Sequence, residues 1–186
     1  MSHQDRKNEF SRMLEYLAES LDISESHFKE AEGRYQAVGK WLERDESLVA
    51  TFNPVIYTQG SFRLGTVIKP IPDEEKYDID IVCQLNLTKK QVSQEQLKEL
   101  VGFEIKSYAR ANNMKNPAEE ARRCWTLNYA DGTQFHMDIL PCIPDSDAFK
   151  LILQSRGIPG GISDHAIAIT DNTLPNYDYL DENWLR

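Results

Sequence analysis

The sequence is poor in cysteine, in long apolar runs and in positive charge, and each shortage closes off a class of function. Its three cysteines, Cys83, Cys124 and Cys142, are an odd number with no CxxC spacing. That pattern argues against a disulfide frame or a zinc site and favours buried free thiols, since each lies in or beside an apolar run. No apolar run approaches the ~20 residues of a bilayer-spanning helix. The opening MSHQDRKNEF also lacks the apolar stretch of a secretory signal. The expected location is the cytoplasm, with no membrane partner. Acids outnumber bases 30 to 21, for a net charge of −9. There is no basic stripe; Lys89-Lys90 and Arg122-Arg123 are the longest basic clusters and read as ordinary solvated faces. Stable binding to a long nucleic acid, which needs many phosphates neutralised, is thereby disfavoured. A mononucleotide is not, because metal ions can screen its phosphates.

What is present is enough for one domain: 186 residues, 40% hydrophobic and 27% charged. Residues 1–50 read as helices. Phe10, Met13, Leu14, Leu17, Ala18 and Leu21 follow helical spacing, as do Ala31, Tyr35, Val38, Trp41 and Leu42 after a cap at Asp22 or Ser24. Both stripes are expected to face the core. Over residues 51–186 the period changes to that of a sheet. Strands are expected at Val55–Thr58, Tyr77–Leu85, Cys124–Tyr129, Gln134–Leu140 and Ala166–Thr170. A charged, proline-rich loop spans KPIPDEEK (69–76), and Asp131-Gly132 signals a hairpin. Ser93 and Gln96 form a capping box that opens a helix with Leu97, Leu100, Val101, Ile105 and Tyr108 inward. Arg110–Glu120 reads as loop, the stretch beyond Pro141 as helical or irregular, and Pro159-Gly160-Gly161 as a turn. The order predicts an α+β fold: a mixed, mostly antiparallel sheet with the N-terminal helices packed on it.

Strand phase singles out the chemistry. In Tyr77-Asp-Ile-Asp-Ile-Val-Cys83, the residues Tyr77, Ile79, Ile81 and Cys83 share one face, and Asp78 and Asp80 share the other. Two carboxylates side by side repel, and a divalent cation held by oxygen ligands relieves them. Asp138 falls on the polar face of Gln134–Leu140, opposite Phe135, Met137 and Ile139. If the two strands are neighbours, three carboxylates converge in the manner of a two-metal site. His136 shares that polar face and is left out, as a surface residue or a support for a ligand. The third element is Gln59-Gly-Ser-Phe-Arg-Leu-Gly-Thr66. Gly60 allows close approach of a phosphate, and Ser61 opens a short helix. A P-loop is excluded because Thr66 stands at its lysine position. Taken singly, an alternate pair of acids is more often a solvated strand face, and a Gly-Ser more often a plain turn.

Their order is what resembles a known family. A strand, a Gly-Ser, an acid-x-acid strand and a third acid on a later strand are the pattern of polymerase-β-like nucleotidyltransferases. The wording of QGSFRLGT (59–66), YDIDIVCQL (77–85) and RCWTLNYADGTQFHMDILPCIPD (123–145) is similar to the bacterial cGAS/DncV-like enzymes, the CD-NTases or SMODS nucleotidyltransferases. The stretch IAITDNTLPNYDYLDENWLR (167–186) is similar to the region that follows their core. The resemblance implies that Gly60 and Ser61, with Gln59 beside them, contact an NTP triphosphate. It implies that Asp78, Asp80 and Asp138 hold two magnesium ions, with manganese as a substitute, and that Asp138 helps activate the attacking hydroxyl. Arg63 could reach phosphate, but packing suits it as well. The implied reaction joins ATP, GTP or other NTPs without a template into a cyclic di- or trinucleotide, with release of pyrophosphate, in the anti-phage defence called CBASS. Regulatory or effector proteins are the expected partners.

Such proteins commonly continue into a helical domain that closes over the nucleotides. Residues 1–186 are therefore expected to be the catalytic domain alone, without that C-terminal domain, its aromatic end docking on what is missing. Two rival readings stand beside the synthase: a nucleotidyltransferase that modifies protein or tRNA, and a non-catalytic nucleotide-binding fragment.

Overall fold

The structure is a computed structural model that describes residues 3–69, 76–130 and 135–184. Most of the charged loop 69–76, the Asp131-Gly132 hairpin signal and Gln134 lie outside the described residues.

Helices α1 (His3–Leu21) and α2 (Glu25–Glu43) lead into a short 3-10 turn and strand β1 (Val55–Thr58). Then follow α3 (Gly60–Leu64), β2 (Tyr77–Gln84), α4 (Gln94–Ala111), β3 (Glu119–Glu120), β4 (Trp125–Tyr129) and β5 (Phe135–Pro144). The last elements are α5 (Asp147–Ser155), α6 (Gly160–Ser163) and β6 (Ile167–Ile169). The sheet runs β1-β2-β5-β4-β3, with β6 also on β5. The β2–β5 pair is parallel, and the other pairs are antiparallel. This is the expected mixed, mostly antiparallel sheet.

One face of the sheet is the core. Ile79, Ile81, Cys83, Leu127, Phe135, Met137 and Ile139 are fully buried there, with Leu97, Val101 and Ile105 of α4 and Val38 and Leu42 of α2. The capping box that starts α4 is complete: Ser93 accepts from the Gln96 N–H, and Gln96 accepts from the Ser93 N–H. A methyl on Gly102 would fall 2.3 Å from the Trp125 ring, so α4 sits against β4 as closely as a bare backbone allows.

Several expectations are corrected. α1 does not bury its stripe: Phe10 is 61% exposed, Met13 64%, Leu14 50% and Leu17 52%. Helical spacing dictates that a helix has an apolar side, but not what meets it; here α2, not α1, contributes buried residues to the core. Ser24, not Asp22, caps α2. β5 continues past Pro141 to Pro144, where helical or irregular chain was expected. Proline lacks the N–H a ladder uses. Pairing with β4 ends at Ile139, however, and pairing with β6 begins at Cys142, so Leu140-Pro141 occupies the gap between them. α4 runs to Ala111 and Glu119–Glu120 pair with β4, trimming the expected loop at both ends. Gly160-Gly161 open α6 with Pro159 as its cap, where a turn was expected. Cys83 and Cys142 are buried free thiols as expected, whereas Cys124 is only half-buried.

The basic pairs are corrected too. Lys89 is no solvated residue: its Nζ lies 2.8 Å from Asp145, with the two side chains 4% and 0% exposed. Removing one member of such a pair strands a buried charge. Lys89→Ala is expected to cost about 3–5 kcal/mol of stability, against roughly 0.5 kcal/mol or less for Lys90→Ala on the exposed neighbour. Urea unfolding of the two variants measures the contrast.

Candidate active site

The open face of the sheet is built by the alternate residues of the same strands. β2 and β5 run in register, so Asp78 stands opposite His136 and Asp80 opposite Asp138. Neighbouring strands are about 4.8 Å apart, which makes Asp80 and Asp138 adjacent carboxylates. This pairing brings Asp78, Asp80 and Asp138 to neighbouring positions on one face, but only Asp78 and Asp138 turn their carboxylates into one cluster.

Asp138 is the most constrained of them. Its Oδ1 accepts a 2.5 Å hydrogen bond from Thr126, its cross-strand partner on β4. His136 Nε2 lies 3.2 Å from the same oxygen. The opposite ring nitrogen, Nδ1, is 3.1 Å from Asn128 Oδ1, which also accepts from Lys76 at 3.3 Å. An oxygen that receives an ammonium is an acceptor, so Nδ1 carries the proton it donates there. Nε2 faces the Asp138 carboxylate. Asp78, His136 and Asp138 each offer a ligand atom within 4.8 Å of the others. Asp80 is turned toward α3 instead.

Burial first, then Asp138, raises the Asp78 carboxyl above its ordinary value, with His136 opposing. Burial, then Asp78 and Asp138, pushes Asp80 up to about 6, again against His136. The cluster thus holds acids that resist sharing their charge. The donor set, carboxylate oxygens with one imidazole, suits a divalent cation that would relieve them.

Two contacts hold α3 beside this cluster, and a third bond closes its own end. The Gln59 N–H donates to the Asp80 carbonyl at 2.9 Å, and Phe62 stacks on Phe28 of α2 with ring centroids 4.7 Å apart. The Thr66 N–H closes on the Ser61 carbonyl. Gly60 has φ +62, and a Cβ there would lie 2.5 Å from Asp80 Oδ2. Glycine is needed twice over, for the backbone and for the carboxylate. Ser61 is exposed. Arg63 sits over the Tyr57 ring at 5.6 Å, a packing contact.

Gln59, Asp80, Asp138 and Leu140 line a pocket of about 380 Å³ whose other wall is Ala121–Cys124. Burial, then the charge of Asp138, pushes the Cys124 thiol up to about 12. Sequence reading missed this wall, Thr126 and His136. For His136 the signal was there, since the alternation that pairs Asp78 with Asp80 also pairs His136 with Asp138. For the wall there was none.

A mixed sheet with paired acids on its open face and a Gly-Ser helix beside them defines a polymerase-β-like nucleotidyltransferase fold. Residues 54–141 match the family model described as cyclic GMP-AMP synthase DncV-like, nucleotidyltransferase domain. A c-di-GMP synthase of Roseivirga ehrenbergii is 27% identical over 135 residues, 73% of this chain and 34% of that protein. The structure of Bradyrhizobium diazoefficiens CdnG in complex with GTP is 27% identical with a TM-score of 0.58, covering 70% of this chain and 36% of that one. Escherichia coli DncV in its 3′-deoxy GTP-bound form, 17% identical with a TM-score of 0.57, covers 83% of this chain and 53% of that one, and shares the fold. Residues 54–141 are thus similar to the nucleotidyltransferase domain of the cGAS/DncV-like, or CD-NTase, enzymes. The chain spans about a third of the length of the curated relative it matches. Among the described residues, no helix is long and apolar enough to cross a membrane.

Gly60→Ala is expected to displace Asp80 or α3 and to weaken magnesium–nucleotide binding about tenfold or more, which calorimetry would read. The pH dependence has a definite sign. A carboxyl whose folded value is raised contributes stability below its unfolded value and loses that contribution as pH rises through about 6. A divalent cation held there would compete with that proton, so thermal stabilisation by added magnesium is expected to be small near about pH 5 and full near about pH 7.5. Asp80→Asn should flatten this difference in a melting series with and without magnesium.

Proposed function

We propose that this chain is the catalytic part of an enzyme that joins NTPs into a cyclic di- or trinucleotide with release of pyrophosphate, serving anti-phage defence. The observation that carries the reading is Asp80 in register with Asp138, with Gly60 in van der Waals contact range of Asp80. The relatives named a c-di-GMP synthase and CdnG bound to GTP favour guanine nucleotides among the substrates, ATP remaining a candidate.

In this reading Gly60 and Ser61, with Gln59 beside them, hold the donor triphosphate, and Asp78, Asp80 and Asp138 hold two magnesium ions. Those ions supply charge neutralisation on the transferring phosphoryl group and on both oxygens of an in-line displacement. The chain's own groups do the rest. Gly60 leaves room for phosphate against the backbone, and Ser61 offers a hydroxyl donor. Thr126 fixes Asp138 through one oxygen, leaving the other to orient the acceptor hydroxyl and receive its proton. A bond forms from that hydroxyl oxygen to the donor α-phosphorus, the bond to the bridging oxygen breaks, and pyrophosphate leaves. A second such step closes a dinucleotide ring, and a third closes a trinucleotide ring.

Incubation of the protein with four NTPs and magnesium, followed by chromatography and mass spectrometry, tests the reading. A cyclic oligonucleotide is expected, and Asp138→Asn should lower its rate by about 10²–10³-fold. Label transferred to protein or tRNA with no cyclic product would sink it.

A further inference from the structure

The wall missed by sequence reading is strongly built. Lys98 is fully buried, and its Nζ donates to the carbonyls of Ala121 and Arg122 and pairs with Glu120 at 3.1 Å. Thr170 donates to the Arg123 carbonyl at 3.1 Å, and the Asn172 N–H to the Arg122 carbonyl at 3.1 Å. The backbone of this turn is therefore already held before its side chains are considered.

Those side chains are two guanidiniums on one carboxylate. Arg122 places Nε 2.9 Å and Nη2 2.8 Å from the oxygens of Asp171, and Arg123 places Nε 3.2 Å from it. Asp171 is fully buried, and its N–H donates to the buried Gln94 side chain at 2.9 Å. Burial pushes the Asp171 carboxyl up, but hydrogen bonds from Arg122, Thr173 and Arg123 hold it well below the ordinary range. It stays ionised and aims both arginines. One negative charge cannot neutralise two positive ones, and the arginine side chains remain 56% and 44% exposed where they line the pocket. In a protein of net charge −9, this is a local positive surplus set against Asp80 and Asp138.

The order of strands gives it a use. Across the sheet come β1 with α3, then β2 and β5 with the acids, then the start of β4 with Arg123. That width is three strand spacings, roughly 14 Å. In-line transfer puts the leaving pyrophosphate and the attacking hydroxyl on opposite sides of the phosphorus. With the donor triphosphate at α3, the acceptor must approach from the side of β5 and β4. Guanidinium forks match phosphate oxygens in shape and charge.

We propose that Arg122 and Arg123, aimed by Asp171, form a second anion station that takes the phosphates of the acceptor nucleotide. The inference rests on the nucleotidyltransferase reading above. Its test is calorimetry with an α,β-methylene GTP analogue, which cannot undergo transfer, in magnesium, compared with GMP and guanosine. Wild type should show two sites, the second weakening as phosphates are removed. Arg122→Lys with Arg123→Lys keeps cations on Asp171, and so keeps the fold, while removing the planar forks. It should weaken the second site about tenfold or more and leave the first within about twofold. Arg122→Gln with Arg123→Gln should abolish the second site. An unchanged second site in the lysine variant, a single site in wild type, or guanosine binding as tightly as the triphosphate overturns the station. No nucleotide binding in wild type overturns the reading beneath it instead.

Discussion

The parallel, in-register pairing of β2 with β5 is the constraint on which the rest of this structure depends. Among the described residues it is the one parallel pair in an otherwise antiparallel sheet, and the chain must cross over through α4, β3 and β4 to make it. A slip of one residue in either strand would turn its apolar residues, Ile79 and Ile81 or Met137 and Ile139, to solvent and its aspartates into the core. Each of those apolar side chains is fully buried, a contribution of about 1.5–3 kcal/mol apiece. The core face thus holds in place an arrangement the polar face would not adopt unaided: carboxylates packed side by side, with Asp80 resisting ionisation.

Around this pair, buried charge is used as scaffolding. Lys98 grips two backbone carbonyls from beneath α4, Lys89 anchors Asp145 where β5 ends, and Asp171 gathers Arg122 and Arg123. Each buried charge has a partner, as burial without one would be prohibitive. The consequence is positional. Short segments beside the site, such as Ala121–Cys124, are held as firmly as strands, although they have no regular structure of their own.

The local patterns were legible for local reasons. Alternation found the polar faces of β2 and β5, because side chains on a strand must alternate. The capping box found the start of α4, and Gly-Ser found α3. Periodicity failed where a partner was needed. The stripe of α1 has correct helical spacing and yet faces solvent, and Lys89, read as surface, lies buried on Asp145. Pro141 was read as the end of a strand because the gap between β4 and β6 that accommodates it is a property of register.

By itself the sequence determined which residues share a face, where α4 begins, and that Gly60 must be glycine-like in conformation. These follow from backbone geometry within a few residues. Only the tertiary structure decided that Asp80 meets Asp138, that His136 joins Asp78 and Asp138, and that Arg122 and Arg123 come to the same pocket through Asp171. Apart from His136 and Asp138, which share β5, those pairings join residues 48 to 60 positions apart along the chain. Contacts at such separation are set by strand order, register and burial, which no short stretch of sequence encodes.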